Sequence, residues 1–222
     1  MGLLIASSIM TLWLSHLYYC LAYMTADFAN PVFYFHILIQ AYLFTGLFIT
    51  SHDAMHGNVT KNKFLNKITG QIACFLFAGF SYRRLVKNHF KHHSSPASED
   101  DPDFDVHSQN FFVWWIKFML RYTTLSQIII MAFFYNLLEY FFTESNVIFF
   151  WLIPAFLSTL QLFYFGTYLP HRNPEKGLHK PHYARSQKKN HLLAMISCYF
   201  FGYHFEHHDS PKTPWWQLYK II

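Results

Sequence analysis

The sequence predicts an all-α membrane protein with four transmembrane helices and a His-rich helical cap on one side of the membrane. Hydrophobic residues make up 53% of the 222-residue chain, and only 13% of its residues are charged. Four stretches with at most one charge are each about as long as the ~20 helical residues that a bilayer core requires. All 17 Lys and Arg residues lie outside these stretches, within 61–121 and 172–220.

We expect residues 1–222 to form a single integral-membrane domain that contains four predicted spans. They comprise residues 3–24, 32–51, 123–142 and 147–169. The first span has no basic segment before it and no small-residue cleavage site after it, which indicates an anchor rather than a removed signal peptide. The shorter apolar stretch 64–80 contains Lys67, so it is predicted to lie in the interface or to dip into the membrane without crossing. Residues 111–121, with tandem Trp and flanking cations, are typical of an interfacial segment.

The basic residues also predict which side of the membrane each loop faces. The turns 25–31 and 142–146 contain acids but no Lys or Arg. Since cytoplasmic loops are rich in Lys and Arg, we expect these turns to face outward. Segments 52–121 and 171–222, here called the His-rich cap, then face the cytoplasm together with the N-terminus. The net charge of +5 is therefore explained by membrane orientation, and no nucleic-acid partner is expected.

Nine of the fifteen His residues occur at helical spacing or directly after a span. His52 and His56 are four residues apart, and the motif HxxHH occurs twice, at 89–93 and 204–208. Residues at i, i+3 and i+4 share one helix face, and the predicted topology brings all these groups to one side of the membrane. The nine predicted metal ligands are His52, His56, His89, His92, His93, His171, His204, His207 and His208.

Nine neutral imidazoles at one depth are suited to binding metal ions. A zinc ion takes about four ligands, so nine His residues fit two ions better than one. Because imidazole binds iron, zinc and copper alike, the ligand type alone leaves the identity of the metal open.

The remaining His residues and the three Cys residues are interpreted differently. An isolated His is more often a hydrogen-bonded core residue or an interfacial polar group than a ligand. That interpretation applies to His16, His36, His107 and His179. Cys20, Cys74 and Cys198 show no CxxC spacing and are interpreted as small hydrophobic residues.

Several acids lie close in sequence to the predicted ligands. A carboxylate that accepts the free N–H of a ligating imidazole fixes the tautomer of that ring. The candidates for this role are Asp53, Asp101, Asp103 and Glu206. The alternative for the acidic run 99–105 is a solvated loop. His182 and His191 lie between His171 and the last motif, and both are candidates for a tenth ligand.

The order HxxxH, HxxHH, single His and HxxHH around four spans resembles the integral-membrane desaturase and hydroxylase superfamily. Further blocks, "HDAMHG", "HHSSPASEDDPDF", "FGTYLPHR", "HYARS" and "HHDSPKTPWW", are similar to the bacterial β-carotene 4-ketolases. The similarity covers about residues 50–218. Phe90, Lys91 and Phe205 stand where those enzymes are richer in His. These departures leave both HxxHH motifs intact and are expected to affect ring preference or rate.

The resemblance implies a non-haem di-iron oxygenase with two Fe²⁺ ions. Such an enzyme uses O₂ to convert the C4 methylene of a carotenoid β-ionone ring to a ketone by two successive hydroxylations. It also implies a multi-pass protein of the cytoplasmic (inner) membrane, in contact with lipid, whose active site faces the cytoplasm. The alternative within the superfamily is a fatty-acyl desaturase or hydroxylase. A haem-binding electron carrier that uses His16 and His36 is a more distant alternative.

The electrons for such a reaction are predicted to come from an external donor. The sequence has no Gly-rich dinucleotide motif and no Cys set for an iron–sulfur cluster. A ferredoxin-like protein that docks on the basic cytoplasmic face is the expected partner. Phe and Tyr side chains on spans two to four are candidates to line a tunnel for a rigid polyene, and no individual residue is assigned to the substrate.

Overall fold

The computed structural model describes all residues, 1–222, as helices and connecting loops without strands. The helices are α1 (Gly2–Tyr23), α2 (Pro31–Met55), α3 (Lys63–Ala78), α4 (Tyr82–Ser94), α5 (Phe111–Tyr122), α6 (Leu125–Phe141), α7 (Glu144–His171), α8 (His191–Cys198) and α9 (His204–Asp209). A short 3₁₀ helix spans Trp215–Lys220. Within α7, two short segments have π-helical hydrogen bonding, Ile148–Leu152 and Tyr164–Tyr168.

Helix α2 is the central helix, and it contacts α1, α3 and α7. The side chain of Asn30 accepts a hydrogen bond from the backbone N–H of Val32, and Pro31 occupies the first turn. Both features favour a helix start at this point, because a polar N-cap satisfies a free N–H and Pro has none to satisfy. Half of the most apolar part of α2 is buried inside the protein, so α2 passes through the middle of the bundle.

Three helices, α1, α2 and α7, are long and apolar enough to cross a membrane, and the bent pair α5–α6 brings the number to as many as four. The prediction of an all-α fold with His clusters and membrane spans is confirmed. The third predicted span, 123–142, is shorter than expected, since α6 has 17 residues. Helices α5 and α6 meet at 91°, because Thr123 and Thr124 are both extended between them.

Much of the surface of α6 is apolar and exposed, although Met131 and Phe134 pack against the main core. Among its residues only Gln127 is buried, whereas Leu125, Ile129 and Phe133 are each more than half exposed. An exposed apolar surface of this size indicates contact with lipid.

The largest core cluster joins the spans to the His-rich cap. Its 20 buried residues include Phe44 and Leu47 of α2, Trp151 of α7, and Tyr203 and Trp215 of the last segment. Because spans and cap share this core, α2 and α7 are held against the last segment of the chain. A smaller cluster packs Met55 at the end of α2 against Leu85 of α4. The predicted His residues lie at this junction.

Candidate metal centre

Eight of the nine predicted ligands form two groups of four. Within each group, one nitrogen from every ring lies within 4.8 Å of the others. The first His group comprises His52, His56, His89 and His207. The second His group comprises His92, His171, His204 and His208. All of these residues are buried except His89, which is partly exposed.

The ninth predicted ligand, His93, lies between the two groups. Its Nε2 atom is 3.0 Å from Nε2 of His207 in the first group. Its ring also stacks on His208 of the second group, with 4.1 Å between ring centroids. The structure therefore brings all nine predicted His residues into one cluster.

Helices α4 and α9 each contribute to both groups. In α4, His89 belongs to the first group and His92 to the second. In α9, His207 belongs to the first group and His204 to the second. A single helix face of α4 or α9 thus lies between the two groups, so each HxxHH motif supplies both groups.

The rings face one another through their nitrogens. Nε2 of His56 lies 2.6 Å from Nε2 of His89, and Nε2 of His92 lies 3.1 Å from Nε2 of His208. Two such nitrogens tolerate at most one proton between them. Nε2 of His52 and Nε2 of His171 are buried and have no hydrogen-bond partner. Converging lone pairs and unpartnered buried nitrogens fit metal cations, because a neutral imidazole offers one nitrogen to a metal.

Burial favours the neutral form of rings in both His groups. It lowers the pKa of His56 to about 4, and the Lys212 ammonium adds to this effect. Burial and the neighbouring His rings hold the pKa values of His89, His204 and His207 well below the usual range. Since only an unprotonated nitrogen can bind a metal, the site is prepared for metal binding near neutral pH.

Asp101 is the acid that directly contacts a ring of the cluster. Its carboxylate lies 2.9 and 3.0 Å from Nδ1 of His92, and it also accepts the backbone N–H groups of Ala97 and Asp103 at 2.8 Å. Burial lowers the pKa of His92, but the adjacent Asp101 charge outweighs it and the pKa is raised overall. An Nδ1–H that bonds to Asp101 leaves Nε2 of His92 free for a metal.

His171 is oriented by a backbone group that the sequence did not indicate. Its Nδ1 atom lies 2.9 Å from the carbonyl oxygen of Tyr183. Nδ1–H donates to that carbonyl, which leaves Nε2 directed at the second His group. Tyr183 belongs to the "HYARS" block, but no spacing rule connects a backbone carbonyl to a ring twelve residues earlier.

Comparison with known proteins agrees with this geometry. The fatty acid desaturase family model matches residues 29–148 and 124–221. A β-carotene ketolase from Paracoccus sp. (strain N81106 / MBIC 01143) is 33% identical over 98% of this chain and 90% of its own length. The chain belongs to the β-carotene ketolase family. The predicted relationship is confirmed, and with it a multi-pass integral membrane protein of the fatty acid desaturase superfamily.

Two further relatives show how much of each protein is shared. A β-carotene ketolase from Paracoccus sp. (strain PC1) is 35% identical over 80% of this chain and 74% of its own length. A zeaxanthin 4-ketolase from Chlamydomonas reinhardtii is 41% identical over 81% of this chain. This chain spans only 41% of the length of that algal protein. No solved structure matches the chain.

The other three predicted acids of this ketolase-family protein have different contacts. Asp53 accepts the backbone N–H of Trp215 at 3.2 and 3.3 Å, which ties the last segment to α2. Glu206 accepts the Ser186 hydroxyl. Asp103 accepts the Tyr122 hydroxyl, and its carboxylate lies 4.0 Å from Nδ1 of His92. Asp53 and Glu206 are placed against backbone and hydroxyl donors because they point off the ligand face of their helices.

The two candidates for a tenth ligand lie outside both His groups. Nε2 of His182 is 3.6 Å from the Asp209 carboxylate, and its ring centroid is 5.9 Å from that of His208. Nδ1 of His191 lies 3.0 Å from the Tyr203 hydroxyl. The structure therefore pairs each of these rings with another polar group.

A cavity of about 80 Å³ adjoins the metal centre. Four His residues line it, and they come from both groups: His52, His89, His92 and His204. Eleven of its 19 lining residues are hydrophobic, including Phe48, Phe118 and Phe163. Asp103 is its one carboxylic acid. These residues come from distant parts of the chain, so their contribution to one cavity was not evident from the sequence.

Proposed function

We propose that this protein is an O₂-dependent carotenoid 4-ketolase with a di-iron centre. The observation that carries the proposal is the cavity beside the His cluster, because its wall contains nitrogen ligands from both groups. A substrate ring in that cavity contacts the metal centre directly. The names of the similar proteins, β-carotene ketolase and zeaxanthin 4-ketolase, support a carotenoid ring as the substrate.

The nine His residues of the cluster divide between the two proposed iron ions. The first His group holds one ion, the second His group holds the other, and His93 completes the first group through its contact with His207. Imidazole suits Fe²⁺, and the absence of thiolate from both groups is compatible with it. When bound, the ions supply the O₂ activation that oxidation of an allylic methylene requires.

The residues of the cavity position the ring and exclude water. Phe48, Phe118 and Phe163 surround the space with apolar surface, which favours a hydrocarbon ring over a polar substrate. Burial raises the pKa of Asp103 to about 6. Its carboxyl group is therefore suited to exchange a hydrogen bond or a proton with a hydroxyl group formed at C4.

The proposed reaction comprises two hydroxylations and a dehydration. Each hydroxylation inserts one atom of O₂ into a C–H bond at C4 and reduces the other atom to water with two electrons and two protons. The second hydroxylation produces a geminal diol, which loses water to leave the ketone. The proposed electron source is a ferredoxin-like protein on the cytoplasmic side of the inner membrane. The confinement of all Lys and Arg residues to 61–121 and 172–220 supports that docking surface and that orientation.

Expression in cells that make β-carotene tests the proposal. We expect 4-keto carotenoids, identified by chromatography and mass spectrometry. Unchanged carotenoids with altered acyl chains would instead indicate a fatty-acyl desaturase or hydroxylase. Supplied 4-hydroxy carotenoid should give the ketone only with O₂ and reductant together, and conversion without O₂ would contradict the second hydroxylation.

A further inference from the structure

A third group of possible metal ligands lies far from the metal centre, on α1 and α2. Ligand atoms of His16, Cys20 and His36 lie within 4.8 Å of one another. His36 and His52 are 16 positions apart on α2, which corresponds to about 24 Å along the helix axis. This group is therefore separate from both His groups of the metal centre.

Side-chain contacts connect α1 and α2 at this third group. Nε2 of His16 lies 3.0 Å from Nδ1 of His36, and Nδ1 of His16 lies 2.6 Å from Oε1 of Gln40. Sγ of Cys20 is 3.8 and 3.7 Å from the two nitrogens of His16. The spacing explains the arrangement, because His16 and Cys20 on α1, and His36 and Gln40 on α2, are each one helical turn apart.

Hydrogen bonds among these side chains leave polar atoms without partners. Gln40 is fully buried, and its Nε2 atom has no hydrogen-bond partner. Cys20 is also fully buried, and its sulfur makes no short contact with either nitrogen of His16. The Oε1 atom of Gln40 accepts the Nδ1–H of His16, which leaves Nε2 of His16 free to bind a metal beside Nδ1 of His36 and the buried Cys20 thiol.

We propose that His16, Cys20 and His36 bind one Cu(I) ion. Thiolate and imidazole ligands suit Cu(I), and the thiol loses its proton on binding. Residues 2–23 and 31–52 contain no charged side chain. A Cu⁺ ion with one thiolate and two neutral imidazoles has no net charge, whereas Zn²⁺ with the same ligands retains one positive charge. Charge is costly to bury within a membrane span, so the neutral complex is favoured.

Met24 is a further sulfur-containing residue close in sequence to Cys20. Met24 is one helical turn after Cys20 and packs against the core cluster that contains Cys20. Thioether sulfur is a soft ligand that also favours Cu(I). This site belongs neither to the cavity nor to the His-rich cap, so copper binding is independent of the proposed ketolase reaction.

The test is an anaerobic Cu(I) titration of the iron-loaded protein in detergent, in competition with a Cu(I) chelator. Copper X-ray absorption identifies the ligand atoms. The metal centre contains no sulfur ligand, so a copper–sulfur signal distinguishes the third group from the metal centre, and its loss in Cys20→Ser assigns it to Cys20. We expect one Cu(I) with a sulfur neighbour in the wild type. Cys20→Ser should weaken binding by about 100-fold or more, beyond the 10–100-fold effect of losing an outer-sphere partner.

Cys198→Ser is the matched control, because Cys198 is equally buried and lies outside every ligand group. Its copper affinity and sulfur signal should equal those of the wild type, and iron content shows that each variant is folded. His36→Gln should weaken binding without removing the sulfur. The proposal is overturned if the wild type loses Cu(I) to the chelator, if only nitrogen neighbours are found, or if Cys20→Ser binds like the wild type.

Discussion

Nδ1 of His92 donates a hydrogen bond to the Asp101 carboxylate, with 2.9 Å between the nitrogen and the nearer oxygen. The loop after α4 brings the two residues together and buries both. In the neutral ring the bond places the proton on Nδ1, so Nε2 of His92 carries the lone pair and is directed at His208, 3.1 Å away. Asp101 therefore controls the orientation of one ring of the second His group.

Replacement of this acid should weaken metal binding. Asp101→Asn should reduce iron affinity by about 10- to 100-fold, the usual cost of losing a carboxylate partner of a ligating His. Iron content after dialysis against a chelator measures this effect. Asp100→Asn is the control, because Asp100 is exposed and pairs only with the exposed Lys91. Equal iron retention in both variants would contradict the role of Asp101.

Each of the nine His residues of the cluster should be required for activity. His207→Ala, for example, removes a ring that belongs to the first His group and contacts His93. Ketone formation should fall by more than about 100-fold, while the protein still inserts in the membrane. His179→Ala, which changes an exposed residue outside the cluster, should remain active. Full activity in two or more of the nine Ala variants would refute the ligand assignment.

Gly166 of α7 allows Phe201 to pack beside the metal centre. A Cβ atom at this position would overlap the Phe201 ring. That ring lies 5.0 Å from His52 and 5.5 Å from His204, measured between centroids. Gly166→Ala should therefore displace Phe201 toward the ligands, at an overpacking cost of about 1–3 kcal/mol. Thermal stability and iron content should both fall.

The double variant Gly166→Ala/Phe201→Leu tests this steric explanation. A smaller side chain at 201 leaves room for the added methyl group. Iron content should recover to the value of Phe201→Leu alone. A loss that persists in the double variant would mean that the helix backbone, rather than the ring, requires Gly at this position.

Acid should destabilise the metal-free protein. Burial lowers the pKa of His56 to about 4, and it lowers the pKa values of His89 and His207 well below the ordinary ~6.5. In the unfolded chain these rings bind protons below about pH 6.5, whereas folded His56 stays neutral down to about pH 4. The folding stability that depends on these neutral rings is therefore fully present above about pH 6.5. It is lost as the pH falls from about 6.5 to about 4. His92, whose pKa is raised, contributes in the opposite direction.

The contribution of His56 alone should be on the order of 1 kcal/mol between about pH 7.5 and about pH 5.5. Denaturant unfolding of the metal-free protein in detergent at the two pH values measures the difference. His56→Gln should reduce the pH dependence, because Gln binds no proton. Equal stability of the wild type at both pH values would contradict the prediction.

Membrane orientation can be tested with single Cys substitutions at exposed positions. We expect a membrane-impermeant thiol reagent to label Asp27→Cys and Ser145→Cys from outside the cell. Lys61→Cys and Lys188→Cys should be labelled only from the cytoplasmic side, because the Lys and Arg residues mark that side. The three native Cys residues are buried and should not react. Reversed labelling would overturn the orientation.

Local features of the sequence determined most of the architecture. Apolar stretches 3–24, 32–51 and 147–169 correspond to the long helices Gly2–Tyr23, Pro31–Met55 and Glu144–His171. The spacing of the His motifs, together with the position of His171 directly after a span, also identified the nine rings that the structure brings into the cluster. These features could be predicted because span length and helical periodicity depend only on neighbouring residues.

Only the tertiary structure determined which residues of these helices and motifs come together. Periodicity shows that His89 and His92 share a face of α4, but it does not show that the face lies between two groups. The choice of Asp101 over Asp53 as the partner of a cluster ring depends on where the loop after α4 returns. The cavity likewise combines residues from α2, α3, α4, α5, α7 and α9. Such contacts join residues far apart in the chain, so only the folded structure determines them.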